Sequence, residues 1–254
     1  MPSAIKKLEQ ARQLLHPILS ESRSRMRRAL GHGDADSVLG GGLLIGALHE
    51  IFADDAAASG FAVCAAQRVS GTKRMLWIIQ DFSALEYGTL APTGFAELGI
   101  DPSRLLMLRV ANAEDALRAA VDALSCYGLG TVILEIAGNP KVLDLVASRR
   151  LVLAAQHKTV TVFLLRQGAV AEPSAAQTRW QIRSDRSTAT DDWGTPRFAA
   201  ELVRNRQGKT GHWVMEWNCD DGVFRKPDDQ AAHSGFVVRA PADGSLAAAM
   251  RIAG

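Results

Sequence analysis

The chain reads as an α/β protein: a mostly parallel central sheet flanked by helices, extended by antiparallel strands toward its C-terminal end and preceded by a helical arm. Three observations predict this. Apolar runs such as Met75-Leu76-Trp77-Ile78-Ile79 and Thr131-Val132-Ile133-Leu134 are short and unbroken, the pattern of strands buried on both faces. Helix-forming, Ala-rich stretches separate these runs, and strands alternating with helices build a covered parallel sheet. Beyond Arg166 the apolar period drops to two, as in strands with one open face.

In chain order, residues 4–29 carry Ile5, Leu8, Arg12, Leu15, Ile18 and Leu19 near helical spacing, with Pro17 set to kink or split the helix. Residues 31–42 are rich in Gly and Asp and contain Gly40-Gly41-Gly42, a linker or turn. Leu48 to Phe52 reads as a strand, Ala56 to Val69 as a helix, Met75 to Ile79 as a strand, and Gly94 to Leu98 as a short helix closed by Gly99. Leu105 to Val110 is a further strand. Asn112 is positioned to cap a helix over Ala113 to Leu124. A strand over Thr131 to Leu134, a helix over Lys141 to Gln156 and a strand over Thr159 to Leu165 complete the alternation.

Thr178 to Arg183, Phe198 to Arg204 and Trp213 to Trp217 then follow period two, the last two joined by a turn over Gly208 to Gly211. Residues 226–254 show no clear period and read as a tail. The expected organisation is a helical arm and linker over 1–39, the α/β domain over 40–225 and the tail over 226–254.

The 254 residues are 47% apolar and 22% charged, enough apolar surface for a substantial core. The net charge of +2 does not by itself point to nucleic acid. Arg12, Arg23, Arg25, Arg27 and Arg28 nevertheless crowd one segment, either a solvated helix face or a patch for DNA or a partner. Cys64, Cys126 and Cys219 are widely spaced and form no metal-ligand pattern with the six histidines, so reduced thiols of a cytoplasmic protein are expected. No apolar run approaches the ~20 residues of a membrane-spanning helix, so no membrane is expected as a partner.

The chemistry of a parallel sheet belongs at the carboxyl ends of its strands. After the first strand the chain runs Ala53-Asp54-Asp55-Ala56-Ala57-Ala58-Ser59-Gly60-Phe61. A phosphate loop needs several glycines, a Lys for the terminal phosphates and a Ser or Thr for magnesium. This segment has one Gly, no Lys and two carboxylates that repel phosphate. With Asp54, Asp55, Ser59 and Gly60 in those places it reads as a plain strand-to-helix connection. Glu135, at the end of the Thr131 to Leu134 strand, and Asp81, after the Met75 to Ile79 strand, stand where a metal-holding acid could sit, or a simple cap. No nucleophile–base pair is visible, and His157 and His212 stand alone. No catalytic residue, cofactor or metal is expected.

Partner contacts have better candidates. Ser148-Arg149-Arg150 places two arginines on neighbouring positions of one helix, one for solvent and one for a partner or a carboxylate. Arg179 and Arg183 extend the basic set, and with the N-terminal arginines they suggest a track for single-stranded DNA. Trp213 and Trp217 share a strand face and read as core. Trp193, between Asp191-Asp192 and Gly194, reads as an exposed anchor.

The order of these segments resembles RecA over roughly residues 40–205. Glu50-Ile51-Phe52 matches the strand that enters the phosphate loop. Leu98-Gly99-Ile100-Asp101 followed by Leu105-Leu106 matches a connecting segment, and Val132 to Glu135 a Walker-B-type strand. Where RecA closes a later strand with Gln, Arg166 stands here, and the loop that follows shrinks to about Gln167 to Ala176. A closer resemblance is to the ImuA family of inducible-mutagenesis proteins, across about residues 43–225. It is carried by Gly46-Ala47-Leu48-His49-Glu50-Ile51, Ala147-Ser148-Arg149-Arg150-Leu151, Glu172-Pro173-Ser174-Ala175-Ala176-Gln177-Thr178-Arg179-Trp180 and Trp213-Val214-Met215-Glu216-Trp217.

The resemblance implies a RecA-like core with a degenerate phosphate loop and a non-catalytic adaptor role in damage-induced, error-prone translesion DNA synthesis, part of the SOS response. The implied partners are ImuB, an inactive relative of the lesion-bypass polymerases, and an error-prone polymerase of the replicative type, with RecA itself a further one. The implied location is the cytoplasm, at the nucleoid during DNA damage. Two other readings share the core: an ATP-dependent DNA-binding protein of the recombinase class, and a division inhibitor resembling SulA. The second family is shorter and lacks the hairpin region over 178–217.

Overall fold

A computed structural model describes residues 26–53, 55–86, 88, 91–187 and 194–227. Its main element is a nine-stranded sheet, in spatial order Val223–Arg225, Gly211–Asn218, Arg197–Asn205, Thr178–Ser184, Leu48–Ala53, Thr161–Gln167, Leu129–Glu135, Arg74–Gln80 and Leu105–Val110. The six strands β3 (Leu48–Ala53), β4 (Arg74–Gln80), β5 (Leu105–Val110), β6 (Leu129–Glu135), β7 (Thr161–Gln167) and β8 (Thr178–Ser184) run parallel. β9 (Arg197–Asn205), β10 (Gly211–Asn218) and β11 (Val223–Arg225) continue it antiparallel. The α/β expectation, with antiparallel strands at the C-terminal side, holds, with one correction: Thr178–Ser184, expected among the antiparallel strands, lies parallel to β3 and is antiparallel only to β9. Among the described residues no helix is long and apolar enough to cross a membrane.

The central strands are buried along their whole length because helices cover both faces. α2 (Ala57–Ser70) covers one face, and its Phe61 sits inside an aromatic cluster: 5.8 Å from Trp180, 5.8 Å from Phe198 and 5.1 Å from Phe224 between ring centroids. Full burial of one such ring is worth about 2–3 kcal/mol, so this cluster reinforces the β8–β9 ladder that joins the parallel and antiparallel halves. Trp217 stacks edge-on to Phe224 at 4.9 Å and donates its indole N–H to the Leu98 carbonyl at 2.8 Å. Trp217 is fully buried and Trp213 partly so, next to Trp180, as their shared strand face predicts. On the other face α5 (Ala113–Ala123) and α6 (Leu145–Lys158) pack Ala116, Ala120, Leu151 and Ala155 onto Leu48, Ile78, Val132, Leu134, Val162 and Leu164. The small residues let the helix axes approach the sheet closely.

Local signals fix the helix ends. The Asn112 side chain accepts the Asp115 amide at 2.9 Å, the cap expected for α5. α6 begins four residues later than Lys141, because Asp144 caps it by accepting the Ala147 amide at 2.7 Å. A helix over Asp81–Glu86 (α3), which the composition does not announce, follows β4 directly, and α4 (Pro92–Glu97) precedes the turn at Gly99.

The N-terminal reading needs correction. Residues 1–25 lie outside the described residues, but 26–29 do not continue a helix. Arg27–Arg28 forms β1, paired antiparallel with β2 (Leu43–Leu44). Residues 31–42 are not a linker either: α1 (Gly33–Val38) packs there, and Leu30, Ala35, Leu39 and Leu43 are buried in the α2-side core. Asp36 holds the entry by accepting the Leu30 and Gly31 amides at 2.7 and 2.9 Å. The glycine triplet is the turn that returns the chain. At Gly42, φ is +115° and a Cβ would meet the Arg28 carbonyl oxygen at 2.2 Å, so only Gly lets β2 lie against β1. Of the tail, only Lys226 and Pro227 are described.

Candidate functional site

The carboxyl ends of β3, β6, β7 and β4 hold the residues singled out by the sequence. Asp54 lies outside the described residues. Asp55 bridges two elements. One carboxylate oxygen accepts the Ala57 amide at 2.9 Å at the mouth of α2, and the other accepts the Ser184 amide and hydroxyl at 3.1 and 2.8 Å at the end of β8. Burial pushes its pKa up. The two Ser184 bonds, the Ala57 amide and the Arg183 charge outweigh that and hold it below the usual carboxylate value.

Ser59 and Gly60 belong to the first turn of α2, and both donate their amides to the Ala56 carbonyl, at 3.2 and 3.3 Å. Gly60 faces Phe198, whose ring would lie 3.3 Å from an added Cβ. At this helix entrance the chain therefore supplies its own carboxylate as the anion, and its own carbonyl takes the first-turn amides.

Glu135 is buried at the end of β6 and accepts the Trp77 indole N–H at 3.1 Å. Burial raises its pKa, and the Trp77 bond only partly offsets this. Asp81 opens α3, half-exposed, and pairs with Arg109 of β5 at 3.0 Å. Among the described residues no three His, Cys, Asp or Glu side chains come together as a metal site.

On the α6 face of the same ends lies a buried ionic group that the sequence reading did not assemble. Glu50 of β3 accepts from Arg179 Nε of β8 at 2.8 Å, and Arg179 also donates to the Glu172 carbonyl at 2.5 Å. Phe52 lies beneath two guanidiniums, 5.4 Å from Arg179 and 5.6 Å from Arg166. Arg166 is buried and donates to the Gly138 carbonyl at 2.7 Å. Burial lowers its pKa, Glu50 and Glu172 oppose that, and Arg179 adds to it. The strand does not close at Arg166. β7 runs one residue further to Gln167, which is buried with its side-chain oxygen unbonded among the described residues.

The remaining candidates separate. Arg149 and Arg150 are both exposed on α6, without an ion pair among the described residues. Arg28 is exposed, while Arg27 donates to the Leu39 and Gly42 carbonyls at 2.7 and 2.9 Å and pins the glycine turn. Arg179 is engaged within the fold as described. Arg23, Arg25 and Trp193 lie outside the described residues. The structure thus gathers Asp55, Ser59 and Gly60 at one strand end, and it does not bring Arg28, Arg149 and Arg179 into one surface cluster.

Two buried histidines, His32 and His49, escaped the sequence reading. His49 stacks on Phe163 at 5.6 Å, bonds Thr178 Oγ1 at 2.7 Å and the Leu44 carbonyl at 3.0 Å, and its pKa falls to about 4. Burial is the main cause. The Leu44 bond opposes it, and the Arg27 charge assists it. The available signal was its place inside an apolar strand, where an imidazole must be neutral and doubly bonded.

Fold and site together define an α/β sheet protein, covered by helices on both faces of its parallel part, whose strand-end groups are bonded to one another across neighbouring elements. No protein-family model matches the chain. It is 30% identical over 198 residues to Protein ImuA of Caulobacter vibrioides strain NA1000 / CB15N, covering 70% of this chain and 77% of that protein. The same figures hold for Protein ImuA of strain ATCC 19089 / CIP 103742 / CB 15. The chain belongs to the ImuA family, which ties it to the ImuA/ImuB mutagenesis system.

Proposed function

We propose that the chain is a non-catalytic adaptor of damage-induced, error-prone translesion DNA synthesis, working through surfaces that bind an ImuB-type inactive polymerase relative and an error-prone polymerase. The observation that carries this reading, beside family membership, is the entrance to α2. Asp55 occupies the Ala57 amide there, no Lys is present, and the Ser59 and Gly60 amides close the helix's own first turn. A nucleotide phosphate brought to that place meets a carboxylate instead of open amides, which disfavours binding by charge and by lost donors.

The test has two arms. The purified full chain is assayed for ATP turnover with and without single-stranded DNA, and the tagged chain is recovered from DNA-damaged cells after nuclease treatment. Absence of turnover together with recovery of the ImuB-type protein, the error-prone polymerase or RecA is the expected result. Turnover stimulated by single-stranded DNA would overturn the non-catalytic part. Recovery of the division tubulin alone would overturn the mutagenesis part in favour of the division-inhibitor reading.

A further inference from the structure

We propose that the amino-terminal ends of β7, β6, β4 and β5 form a binding site for single-stranded nucleic acid: its phosphates lie along a row of cations, and a base stacks on Tyr127. The site is at the end of the sheet opposite Asp55 and Glu135 and is independent of the adaptor reading.

These four strands are neighbours, so the residues that lead into them stand in a line. Lys158 closes α6 before β7, Tyr127 sits in the turn before β6, Lys73 and Arg74 lead into β4, and Arg104 precedes β5. Three strand spacings of about 4.8 Å make the line about 14 Å long. Contacts tie it together. Arg104 donates to the carbonyls of Gly71 and of Lys73, the latter at 2.7 Å. The Arg74 amide donates to the Gly128 carbonyl at 3.2 Å, beside Tyr127. The Lys158 ammonium lies 4.0 Å from the Tyr127 ring centroid. Arg28 of β1 joins from the side, where a Cβ at Gly71 would stand 4.0 Å from its guanidinium.

None of these five cations has an ion pair among the described residues. Arg28, Lys73 and Arg74 are exposed, and their side chains make no hydrogen bond there either. Carbonyl partners leave the Arg104 charge in place. Asp101, which feels that charge, accepts the Ser103 amide at 2.9 Å. On the Arg28 side, Asp34 faces Lys226, and Asp36 accepts the Leu30 and Gly31 amides. The carboxyl ends of α2, α5 and α6 also point here, and each carries roughly half a negative charge, felt within its last turn. That accounts for Lys158. Lys73 and Arg74 lie beyond the last turn of α2, and Arg28 and Arg104 come from other elements. The two termini bring no surplus of acids: residues 1–25 and 228–254 together hold seven Lys and Arg against five Asp and Glu.

A row of cations attracts any polyanion, and Tyr127 selects among them. It is 73% exposed with Lys158 over one face of its ring, so the other face is open to a base. Single strands are held in this way, by a positive track that follows the backbone and an aromatic ring on which an unstacked base rests. The bases of a duplex have no free face to offer. An acidic protein would need an apolar anchor, and the exposed groups between the cations are Gly71 and Thr72.

The experiment is fluorescence anisotropy of a labelled oligothymidylate titrated with the full chain over a range of salt concentrations. The expected result is binding whose log affinity falls with log salt at a slope of about −3, four phosphates at about −0.7 each. Lys73→Ala with Arg74→Ala is expected to weaken binding about tenfold or more at low salt and to flatten the slope by about half. Tyr127→Ala weakens it about fivefold or more with the slope unchanged, and Tyr127→Phe binds as wild type. Arg28→Gln and Lys158→Gln, on separate elements, act in the same direction as the double variant, so the test survives a variant that fails to fold. Lys141→Ala with Arg186→Ala, which removes two exposed cations at the other end of the sheet, leaves binding as it is. No binding at low salt, or equal weakening by the two double variants, overturns the site and leaves the adaptor reading standing. A duplex bound as tightly as the oligonucleotide, or a folded Tyr127→Ala protein that binds as wild type, overturns the single-strand assignment. Tighter binding of polyglutamate than of the oligonucleotide, lost in Lys73→Ala with Arg74→Ala, identifies an acidic protein as the occupant and overturns the proposal as well.

Discussion

Glu50 and Arg179 join the first parallel strand to the last: the carboxylate accepts from Nε at 2.8 Å, with side-chain exposures of only 2% and 14%. In the register of β3 and β8 they are direct cross-strand partners. Two buried charges cost several kcal/mol each to dehydrate, and their attraction roughly repays that only while both are present. The pair therefore specifies the β3–β8 junction more than it adds net stability. Arg179→Ala, which strands Glu50 in the interior, is expected to lower unfolding free energy by about 3–5 kcal/mol in urea denaturation. The joint variant Glu50→Leu with Arg179→Leu recovers only part of that loss, because buried Arg166 then loses the Glu50 charge that supports it. If the joint variant is no better than Arg179→Ala, the pair is a true source of stability and this account of it fails.

His49 links stability to acid. Its folded-state pKa of about 4 lies below the ordinary value of 6.5, so the fold prefers the neutral ring. The stability it contributes is complete above pH 6.5 and is lost as pH falls toward 4, by about 3 kcal/mol over that window. His49→Gln, which keeps the contacts to Thr178 and the Leu44 carbonyl within reach, is expected to cost some stability at pH 7 and to flatten the fall between pH 6.5 and 4. Denaturation midpoints at half-unit steps measure the difference. A wild-type ring that titrates near 6.5 by NMR would contradict the buried-neutral state.

Glu135 has the opposite sign. Burial raises the pKa of this acid, so the fold prefers it protonated. Its contribution is present below the ordinary carboxylate pKa and is lost as pH rises through the raised folded value. Glu135→Gln keeps an acceptor for the Trp77 indole and removes the buried charge. The variant is expected to be more stable than wild type at pH 7, with the advantage shrinking toward pH 4. A variant less stable than wild type at pH 7 would show that the carboxylate has a partner beyond Trp77.

Most of the fold was legible because its signals are local. Unbroken apolar runs predict β3 to β7, period two predicts β8 to β10 though not that β8 lies parallel to β3, and Asn112 marks the start of α5. What escaped depends on contacts distant in sequence. Leu30, Ala35, Leu39 and Leu43 sit among glycines and aspartates that signal a turn, and only the α2-side core makes them interior residues. β11 is three residues long and exists because β10 and Leu30 flank it. At the site, the missing Lys and the paired aspartates were visible in the sequence. The bond from Asp55 to Ser184 was not, because it spans 129 positions. Arg179 reads as a surface cation until Glu50 is known to lie opposite.

That same spacing decides what Ser59 and Gly60 do. In a working phosphate loop the Gly is indispensable, since a side chain would displace the phosphate, and the hydroxyl serves the metal. Here both residues lie in the first turn of α2, where Ala is a better helix former than Gly by about 1 kcal/mol. Against that gain, a Cβ at position 60 would stand 3.3 Å from the Phe198 ring, close enough that the ring must shift by a few tenths of an ångström. The two effects nearly cancel, so Gly60→Ala is expected to change stability by less than about 1 kcal/mol. Ser59→Ala removes a partly exposed hydroxyl and is expected to be nearly neutral. Both variants should complement loss of the wild-type chain in a damage-induced mutagenesis assay and bind the ImuB-type protein as wild type does. Loss of mutagenesis in a stably folded Ser59→Ala or Gly60→Ala protein would mean that the α2 entrance works as a ligand site, and the adaptor reading would have to give way to a nucleotide-dependent one.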